Sequence, residues 1–318
     1  MADTRFERLW ALKLEPWLKS KEQERVAITI RFYLIGLPGV AVGALAGWGL
    51  FALGVSLEFS ILAGLVLAAV IAGIGYRPVQ QLEADYLPRM RQSVLEAFSL
   101  QELERLPADF LSDSFRRQDL LFHDHGRLDE GCHGEVAGRR FEAVKACFEW
   151  LRTQEARDQY PTYITSFSGV LVRIKLKNSP ASEVIATREE GWFSCLSQAG
   201  VSFAAGRLDL NKLDNGFFAY AGSREQAEAV ITPVLAETLK SLEPVFAKRP
   251  LRLAIVPEAE GGVCYIAAET KGLTESFSLL VPSTVRGSFH AMVEECRGIV
   301  ELAELIVTEV DGGSVDAH

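Results

Sequence analysis

Residues 32–54 read FYLIGLPGVAVGALAGWGLFALG, and residues 59–76 read FSILAGLVLAAVIAGIGY. Neither run holds a charged residue, and the whole of 32–76 holds one, Glu58. At about 1.5 Å per helical residue the runs reach about 35 Å and about 27 Å, against a hydrocarbon core of about 30 Å. The first is long enough to span with some tilt, and the second meets the lower limit. Only Val55-Ser56-Leu57-Glu58 separates them, so the sequence predicts an antiparallel transmembrane hairpin over 32–76. A buried helical pair of a soluble fold would seldom carry two such runs. A cleaved signal peptide does not fit either: no A-x-A-like site follows the first run, and a second span comes directly after it.

The rest of the chain has a different character. The protein has 318 residues, 48% hydrophobic and 24% charged, with a mean hydropathy of +0.12. These values exclude a disordered chain and a polytopic transporter, and five cysteines without paired spacing exclude a disulfide scaffold. Residues 77–318 hold 26 Lys+Arg against 36 Asp+Glu, a net charge of −10. That is the wrong sign for a phosphate backbone, so nucleic acid is not an expected partner.

Basic residues near the spans orient the hairpin. Lys19, Lys21, Arg25 and Arg31 precede it, Arg77, Arg89 and Arg91 follow it, and the connecting loop has none. Both termini are therefore expected in the cytoplasm, with Tyr33 and Tyr76 at that interface. Gly39, Gly43 and Gly47 fall on one helical face, as do Gly64, Ala68 and Ala72. Small residues at this spacing let helices approach where lipid offers no hydrophobic force. Such a face closes the hairpin within one chain, and it can also serve contacts in a homo-oligomer. Pro38 is expected to bend the first span.

Residues 1–31 carry Phe6, Leu9, Trp10, Leu14, Trp17 and Leu18 on one helical face. This cytoplasmic amphipathic segment suits either the membrane interface, with Trp10 and Trp17 as interfacial rings, or packing on the cytoplasmic domain. Pro16 predicts two short helices rather than one.

Residues 77–310 read as an α+β domain with a largely antiparallel sheet and long helices. A helix from Pro78 to about Leu106 leads to a hairpin, 130–136 and 139–152, around Ala137-Gly138. Strands follow at 163–175, 183–188 and 216–221, then a helix from Arg224 to about Ala247. Ser223 and Gln226 form a capping box for it, and Thr232-Pro233 kinks or restarts it. Strands at 251–256, 262–268 and 275–281 precede a last helix over 287–309. Residues 311–318 have too little apolar content to fold and are expected as a disordered tail.

The stretch FFAYAGSREQAEAVITPVLAETLKSL, residues 217–242, resembles the bacterial family labelled DUF3137, a domain of unknown function. Phe218, Tyr220, Ala227, Thr232 and Pro233 match its pattern, with Ser223 and Gln226 in place of the usual acidic capping pair and Glu228 where Arg is usual. The plan of hairpin followed by this domain is similar as well. The resemblance implies a bacterial inner membrane protein. It implies no catalytic residue and no cofactor, and it makes a LemA-like membrane protein an expected partner.

The chemistry-bearing residues are few. LFHDHGRLDEGCHGE, residues 121–135, gathers His123, His125, Cys132 and His133, the candidate metal ligands. H-x-H in an extended segment puts both rings on one face, whereas Cys132 and His133 point to opposite faces. The spacing matches no standard zinc module, and a polar loop entering a hairpin is the default. His290 and Glu294 lie four apart on the last helix, with Cys296 beside them, an arrangement open to acid–base work or to a plain hydrogen bond. No G-x-S-x-G, H-E-x-x-H, Walker or dinucleotide-binding motif is present. The expected function is an inner-membrane-anchored protein whose cytoplasmic domain binds another protein as scaffold or regulator. The alternatives are a membrane-tethered metal-assisted hydrolase and an oligomeric membrane pore.

Overall fold

In the computed structural model the two apolar runs are the middles of much longer helices. The structure describes residues 8, 10–104, 121, 125–151, 163–178, 182–188, 209–246, 250–259, 261–270 and 282–312. A π-helical turn, Trp10–Leu14, enters α1, Glu15–Ala52, and after a four-residue turn α2 runs from Leu57 to Ala97. The expected break at Pro16 is absent. Proline in the first turn of a helix lacks only an N–H that would go unbonded there, so the amphipathic segment runs on into the first apolar run. Pro38 in α1, and Pro78 and Pro88 in α2, all lie inside the helices.

The chain divides into two compact units, Met1–Val94 with Ser276–Ala291, and Leu95–Glu275 with Met292–His318. This differs from the boundary expected at Arg77. In the first unit Val79, Leu82, Tyr86 and Met90 recur every three or four residues along α2 and are buried, as are Leu14 and Phe289. Trp17 lies 4.6 Å from Tyr86 and Trp10 lies 5.7 Å from Phe289, centroid to centroid. Arg89 sits over the Trp17 ring and Arg286 over that of Trp10, each within cation–π range. The buried stripe of α2 thus outlasts its apolar run and groups residues 77–94 with the N-terminal segment.

The second unit is α+β, as expected. Its described strands are β1 (Gln101–Glu102), β2 (His125–Val136), β3 (Arg139–Leu151), β4 (Tyr163–Leu176), β5 (Val184–Thr187), β6 (Asp209–Lys212), β7 (Phe218–Ala221), β8 (Arg252–Glu258) and β9 (Gly261–Glu269). Its described helices are α3 (Arg224–Val230), α4 (Pro233–Leu242) and the greater part of α5 (Pro282–Glu309). The strands form one sheet in the order β1-β2-β3-β4-β9-β8-β5-β7-β6, every described pair antiparallel.

The β2–β3 hairpin turns at Ala137 and Gly138, whose φ of 47° and 74° give a turn matched to the strand twist. Its first strand starts five residues earlier than expected and carries a bulge between Leu128 and Gly131. The helix expected to reach Leu106 stops at Ala97, and residues 101–102 pair with β2 instead. The expected strand at 275–281 lies outside the described residues.

One face of the sheet buries Val144, Ala146 and Phe148 of β3, Phe167 and Leu171 of β4, Tyr265 of β9 and Phe218 of β7. On the other face α5 approaches Lys145 and Thr270, and at Gly298 it meets Val245 and Phe246. Ser223 caps α3 by accepting from the Gln226 amide, and Thr232 caps α4 by accepting from the Leu235 amide, so the helix restarts at Thr232-Pro233 as read. The reciprocal half of the capping box differs: Gln226 Oε1 accepts from the Ser182 hydroxyl at 2.9 Å instead. Glu228 pairs with Arg224 at 2.6 Å.

Asp311, placed by composition in a disordered tail, is buried and held. It accepts from Arg139 Nε at 2.7 Å and from the backbone amides of Lys177 and Asn178, each at 2.8 Å. Residues 313–318 lie outside the described residues.

Candidate functional site

The residues singled out by sequence lead to two places, of which one brings several of them together and the other holds His125 alone. The first is the contact between α1 and α2. A Cβ added at Gly43 would lie 2.5 Å from the Gly64 carbonyl oxygen and 2.8 Å from Ala68 Cβ. One at Gly47 would lie 2.8 Å from the Ser60 carbonyl oxygen, and one at Gly39 would lie 2.6 Å from Ile71 Cγ2 and 3.9 Å from the Ala72 amide. Gly43, Gly47, Gly64 and Ala68 therefore face one another across the hairpin and bring the backbones together, whereas Gly39 makes room for the Ile71 side chain rather than meeting a small residue. Beside this contact runs an open apolar groove of about 400 Å³, floored by Gly43, Gly47, Gly64 and Ala68 and flanked by Trp48 and Phe51.

The hairpin's outer surface is the reverse of a soluble core helix. Both helices are long and apolar enough to cross a bilayer, and 11% of each apolar window is buried. Leu34, Leu45, Trp48, Leu62 and Leu65 stand exposed. Phe32 lies 5.4 Å from Tyr33 and 5.9 Å from Tyr76, ring centroid to centroid, so the two tyrosines read as interfacial share one end of the hairpin. The Tyr76 hydroxyl donates to Glu83 at 3.3 Å. Trp10 and Trp17, read as interfacial rings, pack within the first unit as described above.

This geometry makes a sharp prediction. Gly43→Leu drives a side chain into the Gly64 backbone, and overpacking of that kind costs about 1–3 kcal/mol or more. Gly36 and Gly49 have open space where a Cβ would go, so Gly36→Leu serves as the control. A thermal unfolding midpoint in detergent should fall for Gly43→Leu and stay near wild type for Gly36→Leu; equal behaviour would contradict the packing described.

The second place is the free end of β2 and β3. His125 faces Glu149 and Arg127 faces Cys147 across the ladder, lining an open recess of about 270 Å³. His125 Nε2 lies 3.0 Å from the Tyr163 hydroxyl, and Arg127 is paired with Asp129. The candidate metal ligands do not converge here. Cys132 and His133 lie seven and eight residues beyond His125 on the same strand, about 25 Å away at strand rise, and alternate sides separate them from each other. Cys132 is buried, paired with Ala143, while His133 pairs with Glu142. His123 lies outside the described residues. Among the described residues no three His, Cys, Asp or Glu side chains gather as a metal-binding group.

On α5, Glu294 pairs with Arg297, and Cys296 is buried. The residue that sequence reading passed over is Glu295. It lies on the apolar stripe with Met292 and Ile299, a spacing visible in the sequence, and burial pushes its carboxyl up to about 7. Tyr163, Cys147 and Glu149 came together only through strand register, which no local motif announces.

The chain finds no match among protein-family models, curated proteins or solved structures.

Proposed function

We propose that the protein is a bacterial inner-membrane protein whose hairpin spans the bilayer with both termini in the cytoplasm, and whose α+β unit binds a protein partner as scaffold or regulator. The observation that carries this reading is the hairpin itself: two helices closed on each other through glycine, with an apolar exterior that water would not tolerate. Basic residues at one end and none in the loop set the orientation. The net charge of −10 after residue 76 supports a domain that stands away from anionic headgroups and meets proteins instead. A LemA-like membrane protein is the partner implied by the resemblance of residues 217–242.

The scaffold reading is favoured over a metal-assisted hydrolase because the described histidine and cysteine candidates are strung along β2. It is favoured over a pore because the small-residue face is already used inside one hairpin. Alkaline carbonate extraction of membranes tests the anchor. The protein should stay in the pellet, whereas release into the supernatant would refute a spanning hairpin.

A further inference from the structure

We propose that Glu295 is a proton-controlled latch between α5 and the sheet: the helix is seated while the carboxyl is neutral and loosens when it ionises. The residue is 7% exposed and lies on the sheet-facing stripe of α5, near β3 and the end of β9. Its Oε1 has no hydrogen-bond partner among the described residues. The Thr270 hydroxyl bonds to the carboxyl, and the cation that bears on it from the sheet is Lys145 of β3. Cys264 of β9, on the same side of the sheet, is a buried thiol that burial keeps neutral. On α5 itself, Glu294 is engaged with Arg297.

An ionised carboxylate in this place would be a buried charge with one oxygen unsatisfied, which is costly unless solvent reaches it. Solvent reaches it when this part of α5 lifts from the sheet. The neutral acid keeps the Thr270 bond and leaves no charge to bury. Burial raises the group from 4.5 to about 7, opposed by Lys145 and Thr270. The seating contributed by the neutral form is thus complete below about 4.5 and is lost as pH rises through about 7. The latch operates around neutral pH, and it does not depend on the membrane reading.

Hydrogen exchange of the full chain in detergent, at about pH 5.5 and about pH 8, tests it. After correction for intrinsic exchange, opening of residues 292–309 should rise about tenfold or more in the wild type. Glu295→Gln, which is permanently neutral, should remove that rise. Lys145→Met, which removes the cation favouring ionisation, should move the rise to higher pH. Equal opening of wild-type α5 at both pH values would overturn the latch, as would a full rise retained by Glu295→Gln.

Discussion

At pH 7, Asp311→Ala is expected to destabilise the sheet unit by about 3 kcal/mol, the cost of breaking a buried, hydrogen-bonded charge pair from one side. The Asp311 side chain has no exposed surface, and that of Arg139 is 27% exposed. The carboxylate accepts from Arg139 and from the Lys177 and Asn178 amides, while Asn178 Nδ2 donates to the Asp311 carbonyl. Asp311, two residues past the end of α5, therefore ties that helix to the β2–β3 turn and to the end of β4. Alanine leaves two amides and a guanidinium without their acceptor. Asp311→Asn keeps an acceptor for the amides and should lose about half as much. Burial alone would raise this carboxyl, but the bonds from Arg139, Asn178 and Lys177 outweigh it and hold it below 3.8. Its stabilisation is therefore present above the unfolded value and disappears as pH falls through the folded one. Urea denaturation followed by circular dichroism measures the loss. A cost under about 0.5 kcal/mol would place Asp311 in the tail that composition implied.

Glu295→Gln should act in the opposite direction. A carboxyl raised from 4.5 to about 7 by burial forfeits about 3 kcal/mol of stability once it is ionised. The amide has the same shape and no charge, so at pH 8 the variant should be more stable than wild type by about 2–3 kcal/mol. Near pH 4.5 the two should coincide. Denaturation curves at the two pH values check the sign directly, and a variant less stable than wild type at pH 8 would refute the burial argument.

The parts of this fold that declare themselves locally were legible in the sequence. Glycine at 43 and 47 packs against the small face of Gly64 and Ala68, as its spacing implied, while Gly39 receives the Ile71 side chain. Ala137-Gly138 between alternating strands specified the hairpin, and Thr232-Pro233 specified a helix restart. What escaped depends on distant partners. Strand β6, DLNK, is short and polar and exists through its pairing with β7. The end of α2 at Ala97 carries no glycine or proline; Ser99 takes a φ of 56° and turns the chain toward β1. Asp311 looks like tail composition until Arg139, 172 residues earlier, is brought to it. The candidate ligands His125, Cys132 and His133 seemed clustered because the stretch ahead of residue 130 was read as a polar loop entering the hairpin, whereas β2 is extended from His125 onward and spaces them along the strand.

The orientation of the hairpin tests the central claim most directly. Ser56 lies in the turn between α1 and α2, and the Lys19 side chain at the other end is 74% exposed. Ser56→Cys and Lys19→Cys variants would be treated with a membrane-impermeant maleimide in spheroplasts, and the labelled positions mapped by mass spectrometry. The account predicts that position 56 is labelled in intact spheroplasts and position 19 only after permeabilisation. Labelling of both from the same side, or of position 19 alone in intact spheroplasts, would contradict a spanning hairpin with cytoplasmic termini.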